Sequence, residues 1–332
     1  MSTPPELSVV IVTPHDFAQI RRSVRHVREQ DLAERTELLV VCTRESAVAD
    51  TRASELTGFH GVRFVPVGAI DNVDHAATHG VLAARAPVVA IVEDHAYVQP
   101  GWARAIVDAY TTGPWVSVGS VMENANPRRS LSWANLLLGY GWWIDPAAAG
   151  EMHDVPSHNG TYRTAVLQAF GDDLVTHVGR DGDLHDLLRA DGGRMYLARE
   201  ARVAHANPSR LAPTADLRVN AGRLYGCERA EQAGWSDLKR AIYIALAPLI
   251  PVVRLRRLRG EHLVEGQHHH QLRRRILPGL LVALLLDAWG QVLGYLGRPG
   301  PAKQVLATFE MDRMQHLTRS DVAALTDPVP PA

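Results

Sequence analysis

What the chain has little of narrows its class first. Its 332 residues include only two cysteines. Cys42 lies inside an apolar run and Cys227 stands far from it, so neither a disulfide framework nor a cysteine metal cluster is implied, and a reducing compartment suits the chain. A formal net charge of -1 sets up no global basic field, and no nucleic-acid partner is expected. The opening MSTPPELSVV has neither the basic nor the long apolar region of a secretory signal, which leads to the expectation of a cytoplasmic protein. No internal repeat is visible. No Gly-x-Gly-x-x-Gly follows the first apolar run, which argues against a dinucleotide-binding oxidoreductase. What does follow it, Thr13-Pro14-His15-Asp16, is not a glycine-rich, basic phosphate loop. That counts against a nucleotidyltransferase.

What is present is enough apolar residue, 46%, for a real core in one large domain or two ordinary ones. Apolar runs at Leu7–Val12, Glu37–Cys42, Val62–Val67, Val88–Val92 and Trp115–Val121 read as strands. Between the first two, Phe17, Ile20, Val24 and Val27 recur at helical spacing, with Asp16 placed to cap that helix. Asp71–Arg85 reads as a second helix, with Val73, Ala76, Ala77, Val81 and Leu82 on its apolar side. Alternating strands and helices predict parallel βαβ units, and near-continuous apolar strands predict a sheet covered on both faces. The expected fold class is α/β, doubly wound and mostly parallel.

The chain's chemistry centres on VVAIVEDHAYVQPGW, Val88 to Trp102. Glu93, Asp94 and His95 stand just past the end of an apolar strand, and in an open α/β sheet that end is where ligands bind. Carboxylates and imidazole suit a divalent cation, which could hold a phosphorylated substrate. An acidic pair there can equally be a helix cap or a solvated turn. Two later stretches add candidates. Pro156–Arg163 (PSHNGTYR) is dense in hydrogen-bonding groups. Gly179–His205 opens a helix near Asp181, closes it at Gly192 and Gly193, and returns as a strand that ends at His205. Asp181 alone can be only an N-cap, Asp183 and Asp186 only solvated, and His205 only structural.

In their order and spacing these pieces resemble family 2 glycosyltransferases of the GT-A fold, over roughly residues 7 to 230. The matching pieces are SVVIVTPHD, VEDHAYVQPGW, HNGTYR, GRDGDL, ARVAH and the RLYGCERA segment of Arg223–Ala230. The resemblance implies an inverting transfer of a sugar from a nucleotide-diphosphate donor to an acceptor hydroxyl. It implies a divalent metal, Mn²⁺ or Mg²⁺, on the donor's diphosphate. The family's D-x-D aligns with Glu93-Asp94-His95, and a terminal histidine that can complete the metal shell aligns with His205. The family's E-D pair becomes Arg180-Asp181, which makes Asp181 the candidate base and Arg180 a candidate contact to diphosphate or acidic acceptor. Thr13, His15, Asp71, His158, Asn159 and Arg163 are candidates for the donor and acceptor cleft. Glu45 is a late substitute for the acidic residue that reads the nucleobase, and His79-Gly80 stands where the family often has Asn-Gly. The acceptor class left open is lipid-linked or polysaccharide. A non-catalytic, membrane-docked scaffold that keeps the fold is the rival reading, favoured by the altered acidic motif and by Arg180.

The C-terminal hundred residues change style. Ala241–Val253 is apolar but shorter than a bilayer span, and Arg254, Arg256, Arg257 and Arg259 follow it. Arg273, Arg274 and Arg275 precede Ile276–Leu296, which is long enough to span but is interrupted by Asp287 and Gln291. Basic clusters beside apolar helices fit the inner face of a cell membrane. An interfacial helical pair, a single span and a soluble helical cap remain as readings, and surface association is the expectation carried forward. His268–His270 reads as a linker or a weak metal site. The expected division is a GT-A-like domain over 1–232 and a helical, membrane-associating region over 233–332.

Overall fold

The computed structural model describes residues 4–145, 149–179, 183–261 and 269–326, without the side chains of 259–261 and 269–274. Arg180 and Asp181 therefore lie outside the described residues, as do His268 and the side chains of His269 and His270. The chain divides into two compact units. One is Met1–Ala125, Ala147–His205 and Leu325–Ala332, and the other is Asn126–Pro146 and Ala206–Ala324. The helix Leu211–Gln232, placed by the sequence reading in the first domain, belongs to the second unit.

The first unit is built on one mixed sheet. Its strands are β1 (Leu7–Thr13), β2 (Thr36–Cys42), β3 (Gly61–Pro66), β4 (Val88–Val92), β5 (Ala96–Val98), β6 (Trp115–Asn124), β7 (Gly150–Met152), β8 (Thr161–Arg163) and β9 (Arg194–His205). The spatial order is β3-β2-β1-β4-β8-β6-β9-β5, with β7 also paired to β9. The first four strands are parallel, as their apolar runs predict. Then β8 enters antiparallel between β4 and β6, and β6 and β9 run parallel again.

Every residue of β1 and β2 is buried, because both faces are covered. On one face Val10, Val12, Leu39, Val41, Val89 and Tyr162 pack under Ala76, Ala77 and Val81 of the helix Val73–Ala83. Gly80 of that helix is glycine for a packing reason. A Cβ there would stand 2.4 Å from Val10 Cγ1 and 2.9 Å from Val41 Cγ2. The helix Phe17–Arg28 buries Phe17, Ile20, Val24 and Val27, and the Asp16 side chain accepts from Gln19 N as its cap. The helix Val73–Ala83 is capped by Asn72, whose side chain accepts from the backbone N–H groups of Asp74 and His75.

The second unit is helical. Leu211–Gln232 and His269–Tyr295 approach to backbone contact, where a side chain on Gly290 would meet Val219 O at 2.2 Å and one on Gly294 would meet Arg223 O at 2.4 Å. The helix Ser130–Tyr140 joins them, and Asn135 is its polar anchor. Its Nδ2 donates to Pro208 O and Thr214 Oγ1, and its Oδ1 accepts from Arg218 Nε. Asp287 and Gln291, which interrupt the apolar run in sequence, are buried here. Asp287 accepts from Arg254 and from Gln291 Nε2, and Gln291 Oε1 accepts from the Tyr295 hydroxyl.

Candidate metal centre

The acidic motif leaves β4 at its C-terminal end, and a short strand absent from the sequence reading completes the site. β5 pairs antiparallel with the end of β9, with Ala96 opposite His205. This register brings His95 beside His205 across 110 residues of chain. β9 reaches that point after a register jump, from Ser120↔Ala198 to Val121↔Arg202. Irregularities of this kind re-aim a strand where a site needs it. The trailing Pro100-Gly101-Trp102 has a plain structural use. Gly101 takes φ 84°, and fully buried Trp102 donates from Nε1 to Ser120 Oγ at 2.9 Å.

Three ligand atoms converge. His95 Nε2 lies 3.1 Å from His205 Nε2, and Glu93 Oε2 lies 3.6 Å from the first and 3.3 Å from the second. Donors placed about 2.1 Å from one ion in tetrahedral or octahedral array stand about 3.0–3.4 Å apart. The separations therefore fit a single divalent ion, and Glu93, His95 and His205 could hold one. A carboxylate with two imidazoles favours Mn²⁺ over Mg²⁺.

Asp94 does not join these three. Its Oδ1 accepts from His95 Nδ1 at 2.5 Å and its Oδ2 accepts from Gln19 Nε2 at 2.6 Å, while Ser23 Oγ donates to its carbonyl at 2.7 Å. An ionised carboxylate cannot donate, so the proton of the first bond is on Nδ1, and the other ring nitrogen, Nε2, is turned toward Glu93 and His205. The carboxylate thus orients a ligand from behind. Asp94, a ligand candidate in sequence, stands outside the Glu93–His95–His205 cluster.

Glu93 is gripped from two sides. Asn159 Oδ1 accepts from Glu93 N at 3.0 Å, and Asn159 Nδ2 donates to Glu93 Oε2 at 2.6 Å. His158 Nδ1 lies 3.3 Å from Glu93 Oε1 and 3.8 Å from Asp74 Oδ1. Burial alone would raise the Glu93 pKa. The charge of His95 and hydrogen bonds from His158 and His205 outweigh it and hold the carboxyl well below the usual range. Asn159 does this with φ 57°, alone among the described non-glycine residues in the left-handed region. Asparagine tolerates that region best of the residues with an amide to offer.

The remaining sequence candidates separate. Thr13 ends β1, and its hydroxyl donates to Asp16 O at 2.5 Å, so it closes the turn before the helix that holds Asp94. His15, Asp71, His79 and Glu45 are exposed. Arg163 sits at the opposite end of β4 from Glu93. It pairs with Val88 at the start of β4, five residues and about 17 Å of strand from Glu93. Its guanidinium donates to the carbonyls of Trp115, Tyr110 and Gly113, which is a scaffold role. The described residues on either side of Arg180 and Asp181 make defined contacts. Gly179, at φ 85°, leaves room for Asp74, whose Oδ2 would stand 2.9 Å from a Cβ. Asp183 Oδ1 accepts from His177 Nδ1 at 2.6 Å. Gly179 itself therefore lies beside Asp74.

Residues the sequence reading passed over are Gln19, Ser23, Asp74 and a second polar line. In that line His185 joins the buried Tyr162 hydroxyl, at 2.9 Å from Nε2, to Asp154 through Nδ1. Burial pushes the Tyr162 phenol above its usual value. Only Gln19 had a signal in sequence, its place one turn into a helix that follows the first strand.

No protein-family model matches the sequence, and no curated protein matches it either. Among solved structures, the crystal structure of GalNAc-T7 with UDP, GalNAc and Mn²⁺ aligns at a TM-score of 0.47 and 13% identity. The alignment covers 60% of this chain and 43% of that one, so the chain spans less than half of that protein's length.

Proposed function

We propose that this chain is a metal-dependent, inverting glycosyltransferase of the GT-A type, allied to family 2, that moves a sugar from a nucleotide-diphosphate donor to an acceptor hydroxyl. The observation that carries the reading is the Glu93–His95–His205 cluster at the C-terminal edge of a largely parallel sheet. Its carboxylate is kept ionised and its His95 ring is fixed by Asp94. The order of motifs along the sequence supports it. An orienting shell this complete also favours a working site over a relict scaffold.

The roles follow from chemistry. A divalent ion on Glu93, His95 and His205 would supply Lewis-acid stabilisation of the departing diphosphate. Asn159 and His158 keep Glu93 in place and charged. Asp181 is proposed as the base that accepts the proton of the acceptor hydroxyl as that oxygen attacks the anomeric carbon from the face opposite the diphosphate. Arg180 is proposed to contact diphosphate or an acidic acceptor. A lipid-linked or polysaccharide acceptor is the class proposed.

The test is calorimetric titration of the full chain with a panel of nucleoside diphosphates, each with Mn²⁺, with Mg²⁺ and with chelator. Binding of one nucleotide that needs metal and is lost in His205→Ala is the expected result. No binding of any nucleotide by folded protein would overturn the reading in favour of the scaffold. Activity that survives Asp181→Asn would remove the base assignment alone.

A further inference from the structure

The second unit carries apolar side chains on its outside in a regular pattern. On the helices Asp237–Ala245 and Ile250–Glu261 and the turn between them, Leu238, Ile242, Leu246, Leu249 and Val253 follow one another at steps of three or four residues. All five are exposed, Leu238 at 72% and Leu249 at 54%. That spacing is one helical stripe. The opposite side of the same segment is satisfied within the unit. Tyr243, Ile244 and Ile250 pack with Trp235 and Tyr295. The helix His269–Tyr295 repeats the arrangement: Leu281, Leu285 and Trp289 are exposed at steps of four, Trp289 at 56%, with exposed Val282 beside Leu281.

The helix His269–Tyr295 contains a stretch, Arg275–Tyr295, long and apolar enough to cross a membrane by length and composition. Its packing argues otherwise. Half of the stretch is buried inside the protein. Asp287 and Gln291 turn inward to Arg254 and Tyr295. Gly290 and Gly294 lie against the backbone of Leu211–Gln232, a helix with Arg218, Arg223, Glu228, Arg229 and Glu231 along its length. A span would take that charged helix into hydrocarbon with it, which is prohibitive. What remains is an apolar outer face on a folded helical unit. Exposed bases border it: Lys239, Arg256, Arg257 and Arg275. The only exposed acid on the segment 236–258 is Asp237, so the charge beside the stripe is positive.

We propose that these two stripes form a seat for an anionic lipid bilayer, with Leu238, Ile242, Leu246, Leu249, Leu285 and Trp289 entering the interface and Lys239, Arg256 and Arg257 meeting headgroup phosphates. The unit lies on the membrane and does not cross it. Exposed apolar residues select a bilayer over free anions, and the flanking bases select an anionic one.

The full-length protein is floated with phosphatidylcholine vesicles and with vesicles containing about 30% phosphatidylglycerol. Expected is recovery with the anionic vesicles, falling as salt rises and reversed by alkaline carbonate. Ile242→Ser with Leu246→Ser should lower partitioning about tenfold or more. Arg256→Gln with Arg257→Gln should lower it about tenfold on anionic vesicles and leave neutral ones unchanged. Lipids brominated near the glycerol end should quench Trp289, and Trp289→Phe should remove that quenching. Resistance to carbonate would overturn the claim that the helix does not span. Failure to float, with a dimer that Ile242→Ser/Leu246→Ser converts to monomer, would show a second copy to be the occupant. Failure to float as a monomer would refute the seat outright. The Glu93 site takes no part in these readouts, so either reading can fail alone.

Discussion

Asn159 offers a direct test of how the site is held. Its amide bonds Glu93 twice, once to the backbone N–H and once to the carboxylate, and its backbone lies at φ 57°. Replacement by alanine removes both bonds and places a Cβ in a region that penalises it. A hydrogen bond to a charged group contributes about 1.5–3 kcal/mol, and leaving a buried N–H unpaired costs about 1–3 kcal/mol. The left-handed conformation adds about 1–2 kcal/mol for a residue with a Cβ. Asn159→Ala should therefore destabilise the protein by about 3.5–8 kcal/mol. Asn159→Gly loses the same bonds without the conformational penalty, so it should be more stable than Asn159→Ala by about 1–2 kcal/mol. Asn159→Asp keeps the backbone acceptor but sets a second carboxylate beside Glu93, and should fall with alanine. Urea unfolding followed by tryptophan fluorescence measures all three, provided the slope is shared among them. If alanine and glycine prove equally stable, the strain argument fails. If both match the parent protein, Asn159 does not hold Glu93 at all.

Asp94→Asn should weaken Mn²⁺ binding by about 10- to 100-fold, since the replaced group no longer fixes His95 as a carboxylate does; titration calorimetry reads it, and an unchanged affinity would return Asp94 to the status of a surface turn. Arg163→Ala should lower stability by about 2–4 kcal/mol, through loss of three bonds to carbonyls, and leave metal affinity within about twofold. Glu37 supplies the pH test. It is buried, which alone would raise its pKa, but Ser8 Oγ, Arg85 N and Arg63 bond its carboxylate and hold it below the usual value. A depressed folded-state pKa stabilises at pH above the unfolded value and is lost as pH falls through the folded one. Stability should therefore decline from about pH 4.5 downward, and Glu37→Gln should flatten that limb while lowering stability at neutral pH.

The parallel half of the sheet was legible because burial on both faces leaves an unmistakable trace: β1, β2 and β4 are continuous apolar runs, and the helices between them keep a 3.6-residue period. The antiparallel half was not. β5, β7 and β8 have three residues each, too short for any period to show, and what fixes them is pairing with strands far along the chain. The candidate site divides along the same line. Glu93 and His95 advertise themselves by standing after an apolar run, and a motif resemblance reached His205. What no local pattern carries is which carboxylate faces the ion. Asp94 and Glu93 are adjacent and chemically alike, and the difference between ligand and support comes from Gln19, 75 residues upstream, and from Asn159, 66 residues downstream.

That division bears on the reading of the altered acidic motif. Judged as a string, Glu-Asp-His departs from D-x-D and invites the inference that metal binding was lost. Judged in space, the departure is compensated. The middle residue, which has no partner role implied in the motif, here bonds the imidazole that stands in place of the last aspartate. A coordinating imidazole is a neutral donor where the motif has an anion, so a site of Glu93, His95 and His205 would carry one negative charge in place of more. A site with that donor set should discriminate between cations in a way that an all-carboxylate site does not, binding Mn²⁺ well above Mg²⁺. It should also lose metal on acidification, because protons compete with the ion for its ligand atoms. His95→Asp restores the motif's last carboxylate but leaves Asp94 with no ring to bond and puts a third carboxylate among the acids already present. If the spatial account is right, that restoration weakens Mn²⁺ binding and narrows its advantage over Mg²⁺; a His95→Asp variant that bound Mn²⁺ more tightly would show that the sequence motif, and not the Asp94–His95 pair, sets the site's affinity.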